Sequence, residues 1–323
     1  MKIVRLTLLA VIAIGLAPGT WLRSAPQPRN YSDRITFRPL DIQPQVLGAL
    51  RLESGWELVS RHPQFGSYSA LVSLGDDTLL VGSDRGRLMR FAPPGASVPA
   101  VRFLGRRGEE TEPKEYRDLE SLTRDPRSGT IWAGYEASNS VARLGGNFTE
   151  SARIRPNAMQ EWSSNSGAET LLRLDDGRFL IIAEGRLGEG DGTLPALLFP
   201  GDPLLGSEPA HMTFVPPEGF RPVDAVQLPD GRVLVLVRKV VWGLPPRFEN
   251  ALVLLERIGE RAEGELRGDI VARIAHPLPT DNFEGLAAVH QPDGGTDLWL
   301  ISDDNDSMFQ RTLLLKLSLP ADF

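Results

Sequence analysis

From residue 35 onward the apolar residues come in short runs, and no long segment keeps the 3.6-residue apolar period of an amphipathic helix. The runs are rich in Val, Ile and Leu and are separated by Gly, Pro, Asp and Asn, the pattern of an all-β chain. One unit recurs: an apolar strand, a tight turn and a second apolar strand. It reads SALVSLGDDTLLVGSD at 69–84, ESLTRDPRSGTIWAGYE at 120–136 and ETLLRLDDGRFLIIAE at 169–184. It returns as DAVQLPDGRVLVLVR at 224–238 and EGLAAVHQPDGGTDLWLISD at 284–303. The turns carry the glycine or aspartate that a hairpin with positive φ requires.

The units start 51, 49, 55 and 60 residues apart, intervals that suit four-stranded propeller blades. In the fourth unit the two further strands are expected at 251–258 and 269–276. The last unit shows only LLLKLSL (313–319) before the chain ends, so its outer strand is expected from LGALRLESGWELVS (47–60). Joining strands from both ends of the chain removes the free edges of the ring. The sequence therefore predicts a five-bladed β-propeller, closed by an N-terminal strand and forming a single domain over residues 31–323, with six blades as the alternative.

Residues 1–30 follow a different pattern. Lys2 and Arg5 precede the apolar run LTLLAVIAIGLA and the Pro-rich SAPQP, the layout of an export signal. Leu6–Leu22 also reaches the lower limit for a membrane span, so an uncleaved anchor is the alternative. Either reading predicts a periplasmic or secreted body, with membrane contact only through that anchor.

Composition then narrows the chemistry. Lys and Arg total 35, against 42 Asp and Glu, and all of the acids lie beyond residue 30. So acidic a body offers no excess of cations for phosphate backbones, and nucleic-acid binding is not expected. There is no cysteine, and the four histidines lack HxH or HExxH spacing, so any metal should be bound by oxygen. Glycine-rich phosphate cradles and a GxSxG nucleophile elbow are absent. The six tryptophans fit blade packing.

The ends of the hairpins carry the candidate site. First strands begin with Ser69, Glu120, Glu169, Asp224 and Glu284, and second strands end with Asp84, Glu136, Glu184, Arg238 and Asp303. In an antiparallel hairpin these positions are neighbours, so all ten should meet at one mouth of the channel. Packed carboxylates repel one another and stay ionised when a cation sits among them. Hard oxygen donors point to calcium first and magnesium second. Arg238 can pair with one of the acids or face an anionic substrate group. Two dense clusters, Asp281-Asn282-Phe283-Glu284 and Asp303-Asp304-Asn305-Asp306, fall in the last unit.

DLESL (118–122), the YE of GYEASN (135–136), LPDGRVLVLVR (228–238), NFEGLA (282–287) and SDDN (302–305) resemble the phytase-like, "esterase-like activity of phytase" proteins of bacterial envelopes, over roughly residues 45–319. The resemblance implies a propeller with a calcium-lined channel mouth that hydrolyses a phosphoester or carboxylic ester; a small-molecule substrate and a monomer are expected. Carried over by position, the implied metal ligands are Glu120, Glu136, Glu169, Asp224, Asn282, Glu284, Asp303, Asp304 and Asn305. Glu120, Glu284 and Arg238 are the candidate catalytic groups. The third unit departs from the family pattern, keeping Asn165, Gly167 and Glu169 but continuing with Thr170-Leu171. Arg85, Arg186, Arg238 and Lys239 are also few cations for a hexakisphosphate, so phytate itself is not expected. A non-catalytic propeller that holds calcium while binding an envelope ligand, and a lactonase-type propeller, are the alternatives.

Overall fold

The computed structural model describes Thr7 and residues 30–97, 100–104, 113, 116–164, 167–185, 192–243, 247–259, 264–307 and 309–323. Apart from Thr7 and Asn30, the expected signal or anchor segment, 1–30, lies outside the described residues, as do Asn165 and Arg186. Among the described residues no helix is long and apolar enough to cross a membrane. Met1–Ser32 and Arg61–Pro63 form a small unit separate from Asp33–Ser60 with Gln64–Phe323. Within it the Tyr31 ring stands edge-on to His62 at 5.9 Å.

The large unit consists of five sheets, antiparallel except for one added edge strand. Blade one contains β4 (Tyr68–Ser73), β5 (Leu79–Ser83), β6 (Leu88–Phe91) and β7 (Val101–Phe103). Blade two contains β8 (Leu119–Arg124), β9 (Ile131–Tyr135), β10 (Ser140–Leu144) and β11 (Glu150–Ile154). Blade three contains β12 (Ala168–Arg173), β13 (Phe179–Ala183), β14 (Leu194–Phe199) and β15 (Ala210–Phe214). Blade four contains β16 (Arg221–Gln227), β17 (Val233–Val241), β18 (Arg247–Leu255) and β20 (Gly268–Ile274). Blade five joins β21 (Asn282–His290), β22 (Thr296–Asp303) and β23 (Leu313–Leu319) to β3 (Leu50–Val59), with β1 (Thr36–Pro39) and β2 (Gln45–Leu47) both paired to β3. The closing strand thus comes from the N-terminal region, as the missing fourth strand of the last unit required.

The innermost strands β4, β8, β12, β16 and β21 pack side by side in that order, and β21 returns to β4. The ring has five blades. Five apolar clusters fill it, one between each pair of adjacent blades. The near-continuous run VLVLV of β17 follows from this arrangement. Val233, Val235 and Val237 face blade three, while Leu234 and Leu236 face blade five. A strand with both faces covered needs apolar residues at every position.

Two glycines show where backbone sets the limits. Gly231 turns the β16–β17 hairpin at φ 87°, a left-handed conformation that strains other residues. Gly285 lets the inner strands of blades five and one approach, since a Cβ there would lie 2.8 Å from the Leu71 Cβ. Beyond β1 and β2, which flank the expected closing strand, a further strand was not expected: β19 (Gly264–Leu266), from the loop of blade four, runs parallel to β15 and covers the outer edge of blade three. Of the tryptophans, Trp132, Trp162 and Trp299 are buried and Trp56 stacks on Trp299 at 5.9 Å, whereas Trp242 is exposed.

Candidate metal centre

Every inner strand shifts register against its neighbour near its start. In blade two the pairing passes from Leu119 with Tyr135 to Ser121 with Gly134, leaving Glu120 as the bulged residue. The same shift bulges Ser69 in blade one, Glu169 in blade three and Glu284 in blade five. A bulge bends the strand and re-aims the extra side chain, here at the same height in successive blades. Beside these bulges lie the last residues of the hairpins, Asp84, Glu136, Glu184, Arg238 and Asp303. Glu136 N–H donates to the Asp118 carbonyl at 3.0 Å, and Glu184 N–H to that of Gly167 at 3.0 Å.

Blade four breaks the pattern. Its register passes from Pro222 with Val237 to Asp224 with Leu236, so the bulge falls on Val223. Asp224, expected as a ligand, stands one residue farther along. Its buried carboxylate accepts from the Leu286 N–H at 2.7 Å and the Ala225 N–H at 2.8 Å. The Leu286 bond joins blade four to the inner strand of blade five, and it satisfies a donor that the sheet edge leaves over. The structure therefore separates Asp224 from the ring.

The other acids form one electrostatic group. Burial raises the pKa of Glu120, and Glu284, Asp118, Glu136 and Asp84 raise it further. Burial likewise raises Glu169, with Glu120, Glu184 and Glu136 adding repulsion and Arg238 opposing it. Asp303 is pushed up to about 8 by burial and then by Glu284, Asp84 and Asp304. Glu284 is raised by burial despite the attraction of Arg238 and a hydrogen bond from Ser69.

Arg238 brings a positive charge into this group. Its guanidinium donates to Asn282 Oδ1 and Glu284 Oε1, and reaches Glu184 Oε1 at 3.2 Å and Glu169 Oε1 at 3.8 Å. It thus links blade four to the acids of blades three and five, and those acids raise its pKa although burial opposes this. Asn282 is drawn into the same pairing, donating from Nδ2 to Glu284 Oε1 at 2.8 Å. Of the acids gathered here, Glu169, Glu184 and Glu284 lie against this guanidinium, and they outnumber it.

Two sets of ligand atoms are close enough to hold ions. Asp118, Glu120 and Glu136 form one, and Glu136, Glu169 and Glu184 the other; within each set the chosen oxygens lie within 4.8 Å of one another. Glu136 belongs to both. The donors are all carboxylate oxygens, which suits a hard divalent cation. Glu169 supplies an independent sign: its Oε2 is buried and has no hydrogen-bond partner among the described residues. Leaving a carboxylate oxygen unsatisfied is costly, and a cation among the triads relieves that cost. The residues present fit a metal ion.

The remaining expected ligands lie at the edge. Asp304 accepts from Ser67 N–H at 3.0 Å and from the Thr312 hydroxyl at 2.8 Å, linking blades five and one. Asn305 donates its N–H to Asp303 Oδ1 at 2.7 Å from a left-handed turn. Asp118 was not singled out from sequence as a ligand. It precedes the bulged Glu120 by two residues, and only its cross-strand pairing with Glu136 reveals its place.

Fold and site together define an all-β propeller with an acidic, metal-capable channel mouth. The chain belongs to the phytase-like family: the family model described as "Esterase-like activity of phytase" matches residues 63–306. No curated protein matches the sequence. Among solved structures, a chain of the nidogen/laminin complex is 8% identical with a TM-score of 0.45, the match covering 89% of this chain and 98% of that one. The RRP9 WD40 repeats are 8% identical with a TM-score of 0.44, covering 85% and 100%. A chain of hydrazine synthase of Kuenenia stuttgartiensis is 11% identical with a TM-score of 0.39, the match covering 74% of this chain and 57% of that one.

Proposed function

We propose that the acidic mouth is a calcium centre and that the protein is a calcium-dependent hydrolase of a small ester or phosphoester, working as a monomer outside the cytoplasm. The observation that carries the reading is the buried, partnerless Glu169 Oε2 within two acid triads that share Glu136. Family membership and the apolar segment at residues 6–22 support the reaction class and the compartment.

Asp118, Glu120 and Glu136 would hold one ion, and Glu136, Glu169 and Glu184 a second. Bound there, a divalent cation supplies Lewis-acid polarisation of the scissile group and a lowered pKa for water. The protein's own groups do the rest. Glu120 keeps partial solvent access, so it is the acid of the group placed to take a proton from an attacking water. Arg238 holds Glu184 and Glu284 in place, so its part is to position acids rather than to grip substrate. Glu284, neutralised by Arg238, sets the boundary of the acidic group on the side of blade five.

The test is hydrolysis of p-nitrophenyl butyrate and p-nitrophenyl phosphate by the purified protein, with calcium and with chelator. Turnover of one substrate that needs calcium and is lost in Glu120→Gln supports the reading. Calcium binding without turnover of either would leave a calcium-stabilised propeller that binds an envelope ligand, and would overturn the assignment as a hydrolase.

A further inference from the structure

The inner strands end as regularly as they begin. The last residues of β4, β8, β12, β16 and β21 are Ser73, Arg124, Arg173, Gln227 and His290, one per blade. They stand at the mouth opposite the acids, and none is acidic. All five line a cavity of about 720 Å³ that opens there. Leu71, Leu122, Leu172, Ala225 and Leu286, one from each inner strand, contribute an apolar floor. Small-molecule sites have this size and this mixture of apolar wall and few polar groups.

The cations of this mouth differ in how far they are engaged. Arg173 lies 3.5 Å from Asp125 and donates to the Leu174 carbonyl at 3.0 Å. Lys316 pairs with Asp297 at 2.8 Å. The Arg124 guanidinium forms no ion pair or hydrogen bond among the described residues. Its guanidinium lies against the hairpin turn of blade one, where a Cβ on Gly75 would come 3.1 Å from Nη1. The cavity's acids are Asp77 and Asp175, exposed in turns, and the already paired Asp297.

The geometry points to a second binding site at this mouth, for a small organic anion with an apolar body, its carboxylate held by Arg124 and its body on the leucine floor. A planar guanidinium with unspent donors matches a carboxylate in bidentate fashion. A single unengaged cation suits one negative charge rather than a polyphosphate. The site is distinct from the acidic mouth, so its occupancy does not depend on calcium.

The experiment is a ¹⁹F NMR titration of the full chain with 4-(4-fluorophenyl)butanoate and with the matching alcohol, with and without calcium. The expected result is saturable binding of the carboxylate, unchanged by calcium or by Glu169→Gln. Arg124→Gln should weaken it about tenfold, the order expected for losing a charge-assisted hydrogen bond. Melting curves check that this variant folds as the parent does. The alcohol should bind about tenfold more weakly than the acid. No saturable binding, equal binding of acid and alcohol, or unchanged binding in Arg124→Gln would each overturn the proposal. So would loss in Glu169→Gln, because the probe would then sit at the acidic mouth.

Discussion

Asp224 offers a direct contrast between a ligand and a fastening, because its carboxylate is engaged by two backbone donors. Replacing it with leucine keeps the branched shape, adds some bulk and leaves the Leu286 and Ala225 N–H groups without their acceptors. A buried donor left unsatisfied costs roughly 1–3 kcal/mol, so two cost about 4 kcal/mol. Removing the desolvated carboxylate returns part of this, since burial already raises the Asp224 pKa. The net expectation is a loss of about 3 kcal/mol, or roughly 5 °C in melting temperature for a domain of this size. Asp224→Asn retains one acceptor and should lose about half as much. Calcium affinity should be unchanged in both variants. The assay is thermal melting with and without calcium, beside a calcium titration. A variant that melts like the parent while binding calcium ten times more weakly would refute the reasoning and return Asp224 to the ring.

Four further outcomes follow from the same geometry. In chelator, stability should fall as pH rises between 3.8 and about 8. The raised pKa of Asp303 means that the folded protein holds the proton more tightly than the unfolded chain, and melting with excess calcium should flatten the dependence. Asp303→Asn should weaken calcium binding yet leave the metal-free protein as stable or more so, because it removes a repelling charge, whereas Glu284→Gln gives up the pairing with Arg238 and should destabilise the metal-free protein; calorimetry and melting with chelator check both. Arg238→Met strands buried acids and should cost the metal-free protein about 3–5 kcal/mol, less with calcium present, by denaturant titration. A chain starting at Gln64 lacks β1–β3, leaves β23 as a bare edge and should be insoluble or unfolded by circular dichroism.

The blades were legible because both faces of each inner hairpin are covered. Runs such as VLVLV, framed by turn residues like Gly231, announce a doubly buried strand wherever they occur. Closure by β3 was legible as well, from a unit that lacked a strand. β19 was not, since three residues, GEL, carry no pattern and only the neighbouring edge of β15 makes them a strand. The acid ring was half legible. Glu136, Glu184 and Asp303 end their hairpins and could be placed by counting. The inner positions depend on a bulge, which spacing does not reveal. In blade four the bulge falls on apolar Val223, and counting passed to the nearest acid, Asp224. Asp118 was hidden for the same reason, because it reaches the group through cross-strand pairing with Glu136 rather than through a repeat position.

The central claim is that the acids around Glu136 and Glu169 form a metal centre, and calorimetric titration of calcium into the metal-free full chain tests it most directly. Saturable binding with about two ions per chain is expected from the two triads that share Glu136, with Glu169→Gln weakening it about tenfold and Asp224→Asn leaving it unchanged. No saturable heat, or wild-type affinity in Glu169→Gln, would contradict it.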